Sequence, residues 1–271
     1  MFSRIFEAFQ FNIVNLKFWF FRHVLEKYSP SIYMQDESGF FVKRESYDNF
    51  RFIFENNCSC DAGPMMSALK EVVNDNDIAF DIGANIGITS MWMSKISKQV
   101  YAFEPEAKNL SRLKHNIHIN GIENVRIIEK AVTFESATVC LNLYESYGHH
   151  SLSTSHLSTP KGRVSVDAVS LSDFCRAEDI NKIDLIKIDV EGFEYEVLLG
   201  AEELLATNSI KFIVFEHSPA LLRKQGRDMS QVIDLLFKYG YTIYRLNHEQ
   251  INRVDVARLG QEDLYAVARS H

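Results

Sequence analysis

Asp81-Ile82-Gly83-Ala84-Asn85-Ile86-Gly87 places an acid, two glycines and an asparagine between a short apolar run and Ile88-Thr89-Ser90-Met91-Trp92-Met93. The pattern reads as a buried strand, a tight turn and a helix. Glycine lets the backbone turn sharply and approach a ligand closely, because no Cβ stands in the way. The N–H groups at the following helix start favour an anionic group. A second apolar run, Val100-Tyr101-Ala102-Phe103, ends at Glu104. An acid about 20 residues past such a glycine turn can accept hydrogen bonds from both ribose hydroxyls of an adenosine ligand.

The turn is G-x-N-x-G, whereas a dinucleotide fingerprint is G-x-G-x-x-G. The third glycine, which lets helix pack on strand around a pyrophosphate, is absent from its place. Asp81, two residues before the first glycine, suits a ligand with a cationic end. S-adenosyl-L-methionine carries an ammonium, a carboxylate and a sulfonium. Asp81 can serve its cationic side and the helix start its carboxylate. The alternative is an ordinary strand–turn–helix whose glycines serve geometry alone. The acid at Glu104, after a second strand, favours cofactor binding.

Ile183-Asp184-Leu185-Ile186-Lys187-Ile188-Asp189-Val190-Glu191-Gly192-Phe193-Glu194 resembles the KIDVEG-E signature of the FkbM methyltransferase family. Val100 to Pro105 resembles the family's FEP strand end. Val166 to Phe174 resembles its short strand and LxDF turn, and Phe215-Glu216-His217-Ser218-Pro219 its next strand end. The resemblance spans residues 78–246 in the family's order. It implies a class I, S-adenosylmethionine-dependent O-methyltransferase, whose acceptors in that family include sugars and natural-product hydroxyls. A saccharide is the acceptor favoured here. Another small-molecule or lipid-linked acceptor is the runner-up, and a non-catalytic nucleotide-binding module is the alternative of another class. A dehydrogenase is disfavoured by the missing glycine.

Ligands of a parallel α/β sheet bind outside the carboxyl ends of its strands. Asp81, Gly83, Asn85, Gly87, Glu104 and Asp189 are therefore the expected cofactor contacts. Methyl transfer to oxygen is an in-line displacement that requires the acceptor held against the methyl and, for an alcohol, its proton removed. His217 has the unperturbed pKa best suited to that task near neutrality. Asp189 and Glu191 are the other expected catalytic residues. Asp189, Glu191 and Glu216 together can also be read as oxygen ligands for a hard cation, but their spacing is not diagnostic and no metal is assigned. His149, His150 and His156 lie in a polar stretch that reads as a solvated or acceptor-binding loop.

The elements that must position these residues follow from periodicity. Strands are expected at Ile78–Asp81, Val100–Glu104, Val125–Ile128, Leu185–Val190 and Lys211–Glu216, with helices between them. Tyr241–Arg245 and Leu264–Ala268 read as antiparallel edge strands, and Val139–Leu143 with Val164–Val169 as an antiparallel pair. One helix is expected from Tyr195 to about Leu205. Alternating strands and helices mean a doubly wound, mainly parallel Rossmann-like α/β sheet, placed in residues 78–271. Residues 1–77 form an appendage with short strands at 40–42 and 50–54 and a helix after Pro64.

At 271 residues the chain can bury a substantial core, and its net charge of −7 argues against nucleic acid as a partner. Cys58, Cys60, Cys140 and Cys175 read as free thiols of a reducing compartment. With no clear secretory signal, the expectation is a cytoplasmic protein. Phe2, Ile5, Phe6, Phe9, Ile13, Leu16 and Phe20 follow helical spacing. A helix over residues 1–28 is expected to pack on the domain or a second subunit, with peripheral membrane contact as the alternative.

Overall fold

The structure, a computed structural model, describes residues 32–35, 41–44 and 73–269, except 75, 145–151, 153–159, 225, 227, 229 and 254. The aromatic helix over 1–28, the strand at 50–54, the helix after Pro64 and the three-histidine stretch all lie outside the described residues. The chain divides into two compact units, Met1–Asp61 and Ala62–His271. In the first, β1 (Ile32–Gln35) and β2 (Phe41–Arg44) pair antiparallel.

The second unit is built on one large sheet. Its strands are β3 (Ile78–Ile82), β4 (Gln99–Phe103), β5 (Val125–Ile128), β9 (Ile183–Ile188), β10 (Ile210–His217), β11 (Tyr241–Arg245), β12 (Gln250–Ile251) and β13 (Glu262–Ala268). Their spatial order is β5-β4-β3-β9-β10-β13-β11-β12. The first five run parallel, and β13 is antiparallel to both its neighbours. The expected α/β architecture is therefore present. β13 is no edge strand, however: the last strand of the chain inserts between β10 and β11. Nor is β11, the other expected edge strand, which β12 covers on its far side.

Helices cover both faces. α1 (Ile88–Ser94) and α2 (Ala107–Ile119) follow β3 and β4, and Met93 of α1 packs with Ala79, Leu185 and Val214. The other face carries α3 (Leu171–Ala177), α4 (Glu194–Leu199), α5 (Glu202–Ala206) and α7 (Ser230–Lys238), while α6 (Pro219–Lys224) follows β10. Phe174 of α3 sets its ring edge-on to Phe103 at 4.9 Å and to Phe80 at 5.8 Å. Such contacts contribute about 0.5–1.5 kcal/mol each beyond area burial. A small sheet stands beside this core. β7 (Ala137–Leu143) pairs antiparallel with β8 (Gly162–Val169), as the alternation predicts, and β6 (Ala131–Val132) pairs parallel with β8.

The single helix expected from Tyr195 to Leu205 is two helices. The break falls at Gly200 and Ala201, the latter with φ −104. Gly200 turns its carbonyl to the N–H of Ser172 at 2.9 Å, at the start of α3. A Cβ on Gly200 would stand 2.2 Å from the Thr133 carbonyl oxygen. That obstacle is backbone, which cannot swing aside. Gly200→Ala is therefore expected to destabilise the protein by about 1–3 kcal/mol, the usual range for overpacking. The check is a lower midpoint of urea unfolding with an unchanged m-value.

Candidate functional site

β3 neighbours both β4 and β9, because the chain leaves β3 for β4 and β5 and then returns to its other side. That is a topological switch point, where crossovers leave on opposite faces and a crevice opens at the strand ends. A cavity of about 580 Å³, counting its open mouth, lies there. Ile82 and Gly83 line it from β3, Phe103, Glu104 and Pro105 from β4, and Asp189, Val190 and Glu191 from β9.

The glycine turn is held against both neighbours. The N–H groups of Gly83 and Ala84 both donate to the Phe103 carbonyl, at 3.0 and 2.9 Å, and the Asp189 N–H donates to the Ile82 carbonyl at 3.0 Å. Gly83 has φ 83, and a Cβ there would stand 2.0 Å from the Asp189 carbonyl oxygen. Only glycine satisfies both conditions. Asn85, also at positive φ (52°), lines the cavity. Gly87 does not line it. Its N–H bonds the Ala84 carbonyl, its φ is 91, and a Cβ would meet Leu113 at 2.3 Å. The geometry shows it seating α2 against the turn.

Glu104 is 5% exposed. Its Oε2 accepts from the Asn85 N–H at 3.0 Å and its Oε1 from the Glu106 N–H at 2.8 Å. Burial pushes its pKa up to about 7, against the opposing pull of those hydrogen bonds. Two accepted bonds leave lone pairs on both oxygens for a ligand diol.

Asp81 does not line the cavity. It is fully buried one turn behind the glycine, and its Oδ2 accepts from Ser90 Oγ at 2.6 Å. Burial raises its pKa, and Lys187 opposes the rise. Lys187 Nζ lies 3.7 Å from Asp81 Oδ1 and donates to Asp189 Oδ2 at 3.0 Å. Burial works against that ammonium, but the Asp189 and Asp81 carboxylates outweigh it and hold the lysine above its usual range. Asp81 thus meets an internal cation, and its reach to the cavity runs through Lys187 and Asp189.

Beyond β9 the chain turns through Glu191 (φ 54) and Gly192 (φ 91). Buried Glu194 holds this turn: its Oε1 accepts from the Gly192 N–H at 3.1 Å and the Val190 N–H at 3.4 Å. Burial raises Glu194 to about 8. Asp189 and Glu191 are thereby brought to the cavity with Glu104, Gly83 and Asn85.

His217 is not brought there. It is 3% exposed, absent from the cavity wall, and its Nδ1 lies 2.6 Å from the Gly260 carbonyl. Burial lowers its pKa. Neighbours on a strand point to opposite faces, and it is Glu216 that shares a face with Lys187 and Asp189, since Val214 pairs with Lys187. Glu216 rises to about 7 through burial and the nearby Asp189, and accepts from Gln261 Nε2 at 2.9 Å. Among the described residues, no group of three or more His, Cys, Asp or Glu side chains is arranged to hold a metal ion.

Several wall residues escape the sequence reading. Lys130, Ala131 and Val132 follow β5, Leu141 comes from β7, and Asn109 from α2. Applying the strand-end rule to β5 as well would have found the first three.

An acid whose pKa is higher folded than unfolded binds its proton more tightly in the folded state. Its stabilising effect is complete below the unfolded pKa and is lost as pH rises to the folded one. For Glu104 that window runs from 4.5 to about 7, and the shift corresponds to about 3 kcal/mol. Ligand-free protein is expected to lose stability across this window, and Glu104→Gln to lessen the slope. Urea unfolding at stepped pH measures both.

The methyltransferase FkbM domain family matches residues 81–243. The hexuronic acid methyltransferase AglP of Haloferax volcanii is 27% identical over 191 residues, covering 67% of this chain and 71% of its own. The 2-O-methyltransferase NoeI of Sinorhizobium fredii is 27% identical over 175 residues, covering 59% and 70%. Among solved structures, a methyltransferase FkbM from Methylobacillus flagellatus is 17% identical with a TM-score of 0.46, over 71% of this chain and 44% of that one.

Proposed function

Since the chain belongs to the FkbM methyltransferase family, we propose that it moves a methyl group from S-adenosyl-L-methionine to a hydroxyl oxygen of a saccharide. The observation that carries the cofactor reading is the polarity of the cavity wall. Glu104, Asp189 and Glu191 supply three carboxylates, and Lys130 at the exposed rim is the one cationic side chain lining it among the described residues. A dinucleotide pyrophosphate would meet like charge there. A sulfonium and an ammonium would meet opposite charge, and a ribose diol would find acceptors on Glu104. The flat apolar wall of Phe103, Pro105, Val132 and Leu141 suits a purine.

The saccharide reading draws on the relatives. One is named for a hexuronic acid and the other for methylation at oxygen 2. At 27% identity both leave the acceptor to be tested, and an acceptor other than a sugar is the competing outcome. In this reading Asp189 and Glu191 meet the acceptor hydroxyl, and a carboxylate takes its proton as the carbon–oxygen bond forms and the carbon–sulfur bond breaks. His217 is left to fix the end of β10 through Gly260.

Two outcomes follow. S-adenosylhomocysteine should raise the melting temperature, by the equivalent of about 2.7 kcal/mol at one hundred times its dissociation constant, and NAD should not. A shift with NAD alone defeats the cofactor reading. Second, with a panel of saccharides and methyl-labelled S-adenosylmethionine, label should appear on a sugar oxygen. Glu191→Gln or Asp189→Asn should lower turnover by about two to four orders of magnitude, while His217→Ala stays within about tenfold of wild type. Severe loss in His217→Ala with mild carboxylate variants would reverse the assignment.

A further inference from the structure

Asn109 sits in the first turn of α2, is 2% exposed, and lines the cavity with Glu104. The helix start does not need its side chain, because its backbone N–H is capped by Glu106 Oε2 at 2.8 Å. The side-chain amide faces Glu104 closely enough to draw that carboxyl's pKa downward. Since a carboxylate accepts, the amide nitrogen is the donor, and Oδ1 is left over. That oxygen is buried and has no hydrogen-bond partner. Asn85 Oδ1, in the wall of the same cavity, is in the same condition.

An unpaired buried acceptor is costly, and such groups are rare enough in folded proteins to need a reason. Among the described residues nothing donates to that oxygen. A ligand donor brings relief. With the protons of both ribose hydroxyls taken up by Glu104, the donor that an adenosyl group has left is the exocyclic amine of the base.

Resting on the reading that the cavity takes S-adenosylmethionine, we propose that Asn109 Oδ1 is a specificity contact that accepts a hydrogen bond from a donor of the adenosyl group, beside the diol held by Glu104. The contact selects for a nucleoside with a donor at that place and against one that presents a carbonyl there.

The test is titration calorimetry of the full chain and its Asn109→Leu and Asn109→Ala variants, each with four ligands. These are S-adenosylhomocysteine, S-inosylhomocysteine and the 2′- and 3′-deoxy forms of the first. Both variants should bind S-adenosylhomocysteine roughly tenfold more weakly. The ligand-free melting temperature of Asn109→Leu should not fall, because an orphan polar atom has been replaced by apolar surface of similar size. One analogue should lose affinity for the wild type and lose no more in the variants, which identifies the partner. The inosyl analogue is the one expected to behave so, while the deoxy analogues lose their bonds to Glu104 and should weaken by the same factor in the wild type and in both variants. Unchanged affinity in both variants overturns the proposal. So does weaker binding that comes with a lowered ligand-free melting temperature in both, which makes Asn109 structural. Failure of the wild type to bind S-adenosylhomocysteine overturns the cofactor reading itself, and this contact with it.

Discussion

A single buried ammonium joins the two motifs on which the site depends. Lys187 lies on β9, between Asp81 of the glycine strand and Asp189 at its own strand end. Asp81 is fully buried, and burial alone would drive it to its neutral form. The lysine keeps a charge pair there, and Ser90 takes the second carboxylate oxygen. Removing one partner of such a buried pair leaves an uncompensated charge and costs about 3–5 kcal/mol. The pair spans β3 and β9 where they lie side by side with their carboxyl ends in register, at the crevice that the topological switch opens.

The site is made as much by backbone as by side chains. Gly83 allows the turn to come within contact of the Asp189 carbonyl, and Glu194 ties the far side of that contact through two backbone N–H groups. Glu104 then bridges the turn to the start of α2 by accepting from Asn85 and Glu106. A cavity walled in this way is fixed before any ligand arrives, so the ordering of these segments is not charged against binding. Burial works against its carboxylates and the internal lysine works for them, and a wall of this polarity favours a cationic ligand over an anionic one.

Much of this frame was legible in the sequence. Apolar runs located the five parallel strands, and positive-φ turns fell at Gly83, Gly121 and Gly240, where glycine follows or precedes a periodic segment. Asp189, Glu191, Glu104, Gly83 and Asn85 converge because each follows a strand of one parallel sheet. What was hidden depends on partners. The break at Gly200 comes from the Thr133 carbonyl, which is remote in sequence. The insertion of β13 between β10 and β11 is a choice of neighbour that alternation cannot encode. His217, expected as the base, illustrates the narrowest margin: a shift of one residue along β10 exchanges one face for the other, and Glu216, not His217, lies on the face of Lys187 and Asp189. Asn109 has the sequence context of any polar residue in a first helical turn, and only the fold sets its oxygen apart, buried without a partner.

The most direct test is a crystal structure of the chain with S-adenosylhomocysteine. The account predicts both ribose hydroxyls within about 2.6–3.2 Å of Glu104 oxygens, the base against Phe103, Pro105 and Val132, and the sulfur facing Asp189 and Glu191. Density for the ligand outside the switch-point cavity, or a ribose turned away from Glu104, would contradict it.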